Sequence, residues 1–221
     1  MTHAFFSNRR PPFTGQHRES TGIGDKPIDP SPPPLGLDFF QRDALRVARD
    51  LIGTILVRRY REHIFRARIV ETEAYVGAHD LACHAAKGRT PRTQPMFLAG
   101  GRAYVYFIYG MYDMLNVVTG SENDPQAVLL RAAEPLDAWS ADLSGPGKLT
   151  RAMHITRAQN SLLLTTPRLH FQPRPPGAPP RIAATPRIGV DYAGAWKMAP
   201  LRFLDEKSDA VSKRRAGARK A

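Results

Sequence analysis

A short stretch of the sequence, VETEAYVG at Val70–Gly77, places two carboxylates and a phenol at every second position. Because side chains alternate between the two faces of a strand, Glu71, Glu73 and Tyr75 are expected on one face, together with Ile69. A carboxylate on a buried strand is costly unless it is paired, hydrogen-bonded or used in a reaction. The stretch therefore predicts either a general base or nucleophile at a strand end or an ion pair with one of the many arginines.

A tyrosine cluster follows in the segment GRAYVYFIYGMYDMLN. Tyr104 and Tyr106 share one face of a predicted strand, while Tyr109 precedes Gly110 and is expected at a turn. Tyrosines offer flat surfaces on which bases stack and a polar tip that forms hydrogen bonds. The alternative is a tyrosine-rich sheet core, and this alternative is favoured for Tyr104 and Tyr112.

An arginine, Arg131, lies in the apolar strand AVLLRAAEP and needs a carboxylate partner or an anion there. Glu73 is a candidate partner. His79, Cys83 and His84 could suggest a metal site, but their spacing matches no familiar ligand set and the chain has one cysteine. The sequence predicts no metal site and no disulfide.

The chain is strongly basic, with a net charge of +12 over 221 residues and a pI of about 10.3, which favours a polyanionic partner, most often nucleic acid. Arg89 and Arg92, grouped with Thr90 and Thr93, are candidates for contacts with phosphates. Lys148, in GPGKL, either contacts a phosphate or supports packing. No run approaches the ~18 apolar residues of a membrane span and no secretory leader is evident, so a cytoplasmic protein is expected.

The elements that must position these residues are mainly short strands. Strand patterns occur in TILVRRY, HIFRARIVETEAY, RAYVYFIYG, MLNVVTG and QAVLLRAAEP. A helix is predicted around Ala44–Ile52, with Gly53 at its end, and another after GPGK. Because the strands follow one another without regular helices between them, the sequence predicts one α/β domain of the α+β type, with a mostly antiparallel sheet.

Composition divides the chain into three parts. Residues 1–35 are basic and proline-rich and are predicted to be a disordered arm, residues 36–205 are the folded domain, and residues 206–221 are a disordered basic tail. The tail's lysines and arginines are free to meet phosphates, although a solvated terminus without a role is the alternative for both ends.

Five segments together identify a family resemblance: RIVETEAYVG, GRTPRTQPMF, YVYFIYGMYDMLNVVTG, AVLLRAAEP and SGPGKL. They resemble the alkyladenine (3-methyladenine) DNA glycosylase family of base-excision repair, in the family's order from about Leu37 to Phe203. The resemblance implies a single compact domain whose central antiparallel sheet carries a DNA-intercalating hairpin. Thr93, where an asparagine is common, and the loop at Pro173–Pro180 depart from the family pattern and leave substrate breadth open.

The resemblance also implies roles for individual residues. Glu73 corresponds to the general base, and Arg131 to the arginine beside the attacking water and the DNA backbone phosphate, whereas Glu71 is interpreted as structural or supporting. Tyr109 corresponds to the side chain that wedges into the duplex. The residues of the base pocket are Tyr75, His84, Tyr106 and Asn116, of which Asn116 crowds against the amino group of a normal guanine.

The implied activity is a monofunctional glycosylase without a cofactor, acting as a monomer on double-stranded DNA that contains damaged purines. The implied lesions are 3-methyladenine, 7-methylguanine, hypoxanthine and ethenoadenine. Two other interpretations stay open: a non-catalytic DNA-binding module on the same fold, and a hydrolase of nucleosides or sugars. The charge of +12 speaks against the second.

Overall fold

The structure of the protein, a computed structural model, describes residues 32–212. Residues 1–31, which are most of the predicted arm, and residues 213–221, which are the end of the predicted tail, lie outside the described residues. Residues 206–212 of the predicted tail are described, and they pack against the domain: the Lys207 amide donates to the Asp205 carboxylate, and Ser212 is buried. The described domain therefore extends beyond the predicted boundary at residue 205.

Nine strands of the described residues form one sheet, and every pairing between them is antiparallel. The strands are β1 (Ile55–Tyr60), β2 (His63–Tyr75), β3 (Ala103–Ile108), β4 (Tyr112–Thr119), β5 (Gln126–Pro135), β6 (Thr165–Thr166), β7 (Leu169–Gln172), β8 (Ile182–Thr185) and β9 (Arg202–Asp205). Their main order is β3-β4-β5-β2-β1-β7-β6. The predicted α+β class with an antiparallel sheet is confirmed.

The central strand β2 is long enough to have two partners in succession along one edge. Its first half pairs with β1, and residues Glu71–Glu73 pair with β9, which in turn pairs with β8. Its other edge pairs with β5. The two carboxylates of β2 are therefore enclosed by β5 on one side and by β9 on the other.

The helices within residues 32–212 are short and few. They are α1 (Leu37–Phe40), α2 (Ala44–Asp50) and α3 (Pro146–Ala152), with 3-10 turns at His84–Lys87, Gln94–Phe97, Arg157–Gln159 and Gly194–Met198. The helix predicted around residue 44 is α2: the Asp43 carboxylate accepts a bond from the Arg46 amide at 2.9 Å and caps its first turn. Among the described residues, no helix has the length and apolar character of a membrane span.

A pair of β-bulges changes which residues share the face of the carboxylates. In the pairing of β2 with β5, Val70 and Arg131 are each skipped, one on either strand. An unpaired extra residue shifts the alternation of side chains beyond it. Ile69 consequently lies in the same hydrophobic core as Ala74, so the prediction that Ile69 shares the face of Glu71 is wrong.

The main hydrophobic core lies on one face of the sheet, where Phe40 of α1, Val47 of α2 and Leu51, the residue after α2, pack against strand residues such as Leu130. The residues that pair with Glu73 and Tyr75 on β5, Leu129 and Ala127, face the opposite side of the sheet, where they line a cleft. The sheet thus separates an apolar core from the face that carries the polar groups.

Candidate active site

A cleft with a volume of about 810 Å³ lies on the face of the sheet opposite the main core. That volume is within the range of small-molecule binding sites. The predicted site residues that line it are Tyr75, His84, Tyr106, Tyr109, Asn116, Arg131 and Lys148. Residues separated by up to 73 positions in the sequence are therefore brought together around one cavity.

Glu73 is fully buried directly beneath the wall of this cleft, near the end of β2. Its Oε1 accepts a bond from the backbone amide of Ile188 at 2.8 Å and lies 3.3 Å from Arg131 Nη1. The hydroxyl of Tyr75 donates to Oε2 at 3.0 Å. Three donors from three segments fix the position of the carboxylate, and all three residues line the cleft.

Arg131 lies between the two carboxylates of β2. Its Nε lies 3.2 Å from Oε1 of Glu71, and the same oxygen lies 2.6 Å from Nε of Arg202 on β9. Burial opposes the charge of Arg131, but Glu73 and Glu71 outweigh burial and raise its pKa overall. Two carboxylates and two guanidinium groups thus form one buried, charge-balanced cluster, and both β2 carboxylates take part in the ion pairing predicted as an alternative.

Alternation along β5 explains how Arg131 reaches this cluster. Leu130 lies in the main core and Leu129 lines the cleft, so the next residue, Arg131, lies on the cleft face, where the carboxylates are. Beyond the bulge the alternation is shifted, and Ala133 lies in the core.

His84, Tyr104 and Tyr106 form an aromatic wall of the cleft. His84 Nδ1 lies 2.9 Å from the hydroxyl of Tyr104, and the imidazole packs edge-on against the ring of Tyr106, with 4.6 Å between ring centroids. Burial, followed by the charges of Arg92 and Lys87, lowers the pKa of His84 to about 4. The imidazole is therefore neutral at pH 7.

Tyr104 belongs both to the core and to the site. It is only 2% exposed, as expected of a sheet-core tyrosine, but it also lines the cleft and bonds to His84. Burial raises its pKa to about 12, so its hydroxyl keeps its proton at pH 7 and can donate it to the His84 ring.

The hairpin of β3 and β4 ends beside the cleft in an exposed apolar tip. Tyr109 is 78% exposed and has a φ of 54°, and Gly110 follows with a φ of 67°. A left-handed backbone is rare for a bulky residue and carries a conformational cost. Phe107 and Met111 are exposed next to it. The tip therefore presents aromatic and thioether surface to the solvent.

Asn116 lies on β4 opposite Tyr104 and is 3% exposed. Its side-chain amide donates to the carbonyl oxygen of Tyr104 at 3.1 Å and, at 3.4 Å, to that of Met114. The backbone of two neighbouring strands therefore fixes the orientation of this side chain at the cleft wall.

The three basic residues predicted to contact DNA differ in their surroundings. Arg89 is exposed, donates to Gln94 Oε1 at 2.8 Å and does not line the cleft. Arg92 is exposed, with its guanidinium carbon 5.3 Å from the centroid of Tyr106. Lys148 forms an exposed ion pair with Asp142 at 2.6 Å. Only Lys148 contributes directly to the cleft lining.

A second buried ion pair was missed by sequence reasoning. Arg187 Nη1 and Nη2 lie 2.5 and 2.8 Å from the carboxylate oxygens of Asp80, and neither side chain is exposed. Arg187 also donates to the carbonyl of Ala74 and lies over the ring of Tyr75, 4.7 Å from its centroid. The pair anchors the loop whose next residue, Ile188, binds Glu73.

Cys83 lies next to His84 in a buried cluster and is 3% exposed. Burial raises the pKa of its thiol to about 11, so the reactive thiolate is scarce at pH 7. Among residues 32–212, no group of three or more His, Cys, Asp and Glu side chains is arranged to hold a metal ion.

Comparison with known proteins finds relatives that match most of the chain. A model of the methylpurine-DNA glycosylase family matches residues 38–209. A protein of Myxococcus xanthus is 50% identical over 177 residues, which cover 79% of this chain and 91% of the relative. A protein of Methanocella arvoryzae is 47% identical over 199 residues, which cover 84% of this chain and 98% of the relative. Both relatives carry the name "Putative 3-methyladenine DNA glycosylase".

Proposed function

The chain belongs to the methylpurine-DNA glycosylase family, and on this basis we propose that it is a monofunctional DNA glycosylase that hydrolyses the bond between a damaged purine and its deoxyribose. The observation that carries the proposal is the buried Glu73 carboxylate, held by Arg131, Tyr75 and Ile188 beneath an aromatic cleft. Its substrate is double-stranded DNA, which agrees with the chain's charge of +12.

The cleft suits a purine that has been flipped out of the duplex. Tyr75, His84 and Tyr106 provide aromatic surfaces on which a planar base stacks. Alkylation at N3 or N7 makes a purine cationic, and an aromatic face attracts a cation by roughly 0.5–2 kcal/mol. The neutral His84 ring adds a polar contact without adding a repelling positive charge.

Hydrolysis needs a water molecule activated beside the sugar. Glu73 accepts a proton from this water while the oxygen of the water forms a bond to C1′ of the deoxyribose. The bond from C1′ to the purine nitrogen breaks, and its electron pair leaves with the base. The negative charge of Glu73 stabilises the cationic sugar of the transition state, and Arg131 orients the water.

The alkylated purine leaves as a neutral molecule, because the electron pair of the broken bond cancels its positive charge. Neutral lesions such as hypoxanthine and ethenoadenine need further help at the ring, from a proton or a hydrogen bond. Lys148 is already paired with Asp142, which agrees with hydrolysis by water rather than attack by an amine.

Selectivity against normal bases is proposed to come from Asn116. Its side chain is fixed by the backbone of β3 and β4, so it cannot easily move aside for a larger base. The exocyclic amino group of guanine would meet this side chain in the cleft, whereas adenine derivatives carry no such group at that ring position. 7-Methylguanine keeps the group, and its release relies on the positive charge that makes this base a better leaving group.

Tyr109 is proposed to fill the space that the flipped nucleotide leaves, and a Tyr109→Ala variant tests this role. Extracting a base costs a few kcal/mol, and the exposed ring at the hairpin tip can offset part of that cost. We expect base release and lesion binding on duplex DNA to fall about tenfold or more. Single-stranded DNA should show a much smaller loss. Rates are measured with excess enzyme on both substrates.

Tyr109→Phe is the matched control, since it keeps the ring at the tip and should keep most of the activity on duplex DNA. An equal loss by Tyr109→Ala on single-stranded and duplex substrates would count against the wedge.

The proposed function is tested by incubating the purified chain with duplexes that each carry one lesion. The set contains 3-methyladenine, 7-methylguanine, hypoxanthine and ethenoadenine, and the released base is quantified by chromatography. We expect release of at least the alkylated purines. Salt-sensitive binding without release of any base would instead support a DNA-binding module, and release from free nucleosides but not from duplexes would support a small-molecule hydrolase.

A further inference from the structure

The segment after β9, residues 206–212, forms a strap that runs back along β5. The Ser208 amide donates to the Asp205 carbonyl at 3.0 Å, and its hydroxyl donates to Glu134 on β5 at 2.5 Å. The strap ends at Ser212, which is 6% exposed. A polar segment at the end of a domain is thus held in place by hydrogen bonds and reaches the interior.

The strap ends with Ser212, which binds the carboxylate of Glu71. Its amide donates to Oε2 at 2.6 Å, and its hydroxyl donates to Oε1 at 2.8 Å. Glu71 is fully buried, so water does not replace these donors. Within the described part of the chain, the Ser212 amide is the hydrogen-bond donor to Oε2, while Oε1 also receives Arg131 and Arg202.

The contact extends from Glu71 to the cleft through Arg131. One edge of the guanidinium meets Glu71 through Nε, at 3.2 Å, and Ser212 Oγ through Nε and Nη2, each at 3.4 Å. The opposite end, Nη1, meets Glu73. Arg131 is skipped in the pairing of β5 with β2, and the contacts of its side chain with Glu71, Glu73 and Ser212 fix the position of the guanidinium.

We propose that Ser212 is a positioning residue for base release: it holds Glu71, and through Glu71 it fixes Arg131 at the distance and angle that Glu73 and the attacking water require. The inference rests on the proposed glycosylase function. Ser212 does not itself line the cleft and reaches it only through Arg131, so its effect is on the rate of the chemical step rather than on substrate binding.

The test compares Ser212→Ala with Ser208→Ala, which removes a hydroxyl–carboxylate bond from the same strap away from Arg131. We measure the single-turnover rate of 3-methyladenine release at saturating enzyme, the dissociation constant for lesion DNA and the melting temperature. Ser212→Ala should slow release by about 10- to 100-fold, since small displacements of catalytic groups have effects of this size. Its DNA binding should stay within twofold, and Ser208→Ala should release the base at the wild-type rate.

Two further variants separate positioning from general loss of structure. Ser212→Thr keeps the hydroxyl and should restore most of the rate. In a Glu71→Gln background, Ser212→Ala should slow release little further, because both changes act on one contact. A wild-type rate for Ser212→Ala would overturn the proposal, as would a loss that Ser208→Ala reproduces. If the wild-type chain itself releases no base, the proposed function fails instead.

Discussion

A Glu73→Gln variant is expected to lose base release by about 10²- to 10⁴-fold while still binding lesion-containing DNA. The amide has nearly the shape of the carboxylate and can still accept the bond from the Ile188 amide. It cannot take a proton from water, and it removes the negative charge that stabilises the developing positive charge on the sugar. Single-turnover release from a 3-methyladenine duplex measures the first effect, and fluorescence anisotropy measures binding.

Glu122→Gln provides the matched control, because it makes the same chemical change on an exposed loop. It should leave both rate and binding unchanged. A release rate for Glu73→Gln within tenfold of the wild-type rate would remove Glu73 from the role of general base, even if the chain is a glycosylase.

The second large effect concerns stability: Asp80→Ala should lower the free energy of unfolding by about 3–5 kcal/mol. The change leaves the Arg187 guanidinium buried without its carboxylate and removes the acceptor for the Ala82 amide. Urea unfolding followed by circular dichroism measures the loss. Base release should also fall, since Arg187 anchors the loop that binds Glu73 through Ile188.

An exposed ion pair supplies the comparison. Asp50 pairs with Arg42 at 2.8 Å, with its side chain 47% exposed. Asp50→Ala should cost no more than about 1 kcal/mol, because surface pairs contribute little. If Asp80→Ala costs no more than Asp50→Ala, the buried pair does not hold the loop.

Local sequence patterns were sufficient to predict much of the fold. Alternating β-branched and apolar residues identified the strands, and the spacing of Ala44, Ala48 and Leu51 with a glycine after Ile52 identified α2. The absence of helices between strands indicated antiparallel pairing. These signals involve residues that are close together in the chain, so a single sequence is enough to recognise them.

The site was only partly predictable for the same reason. The sequence offered Glu73 and Arg131 as possible partners, and the structure brings them to 3.3 Å. The bulges at Val70 and Arg131 could not be located from the sequence, because neither position has a glycine or another residue that marks an irregularity in a strand. Asp80 and Arg187 are 107 residues apart, and nothing local pairs them.

The strap was the least predictable element. Its sequence, EKSDAVS, has little apolar surface and suggests a solvated tail. What holds it is a set of hydrogen bonds to carboxylates on β2 and β5, Glu71 and Glu134, which are visible only once those strands are paired.

The two-partner arrangement of β2 has a consequence for the order in which the protein folds. Glu71 receives Arg202 and Ser212 from 131 and 141 residues further along the chain, whereas the hairpin of β1 and β2 closes over very few residues. Contacts that close long loops form late, because their entropy cost precedes their gain. Docking of β9 and the strap is therefore expected to be a late folding event, and the buried charge cluster around Glu71 is complete only after the other strands have paired and this docking has taken place.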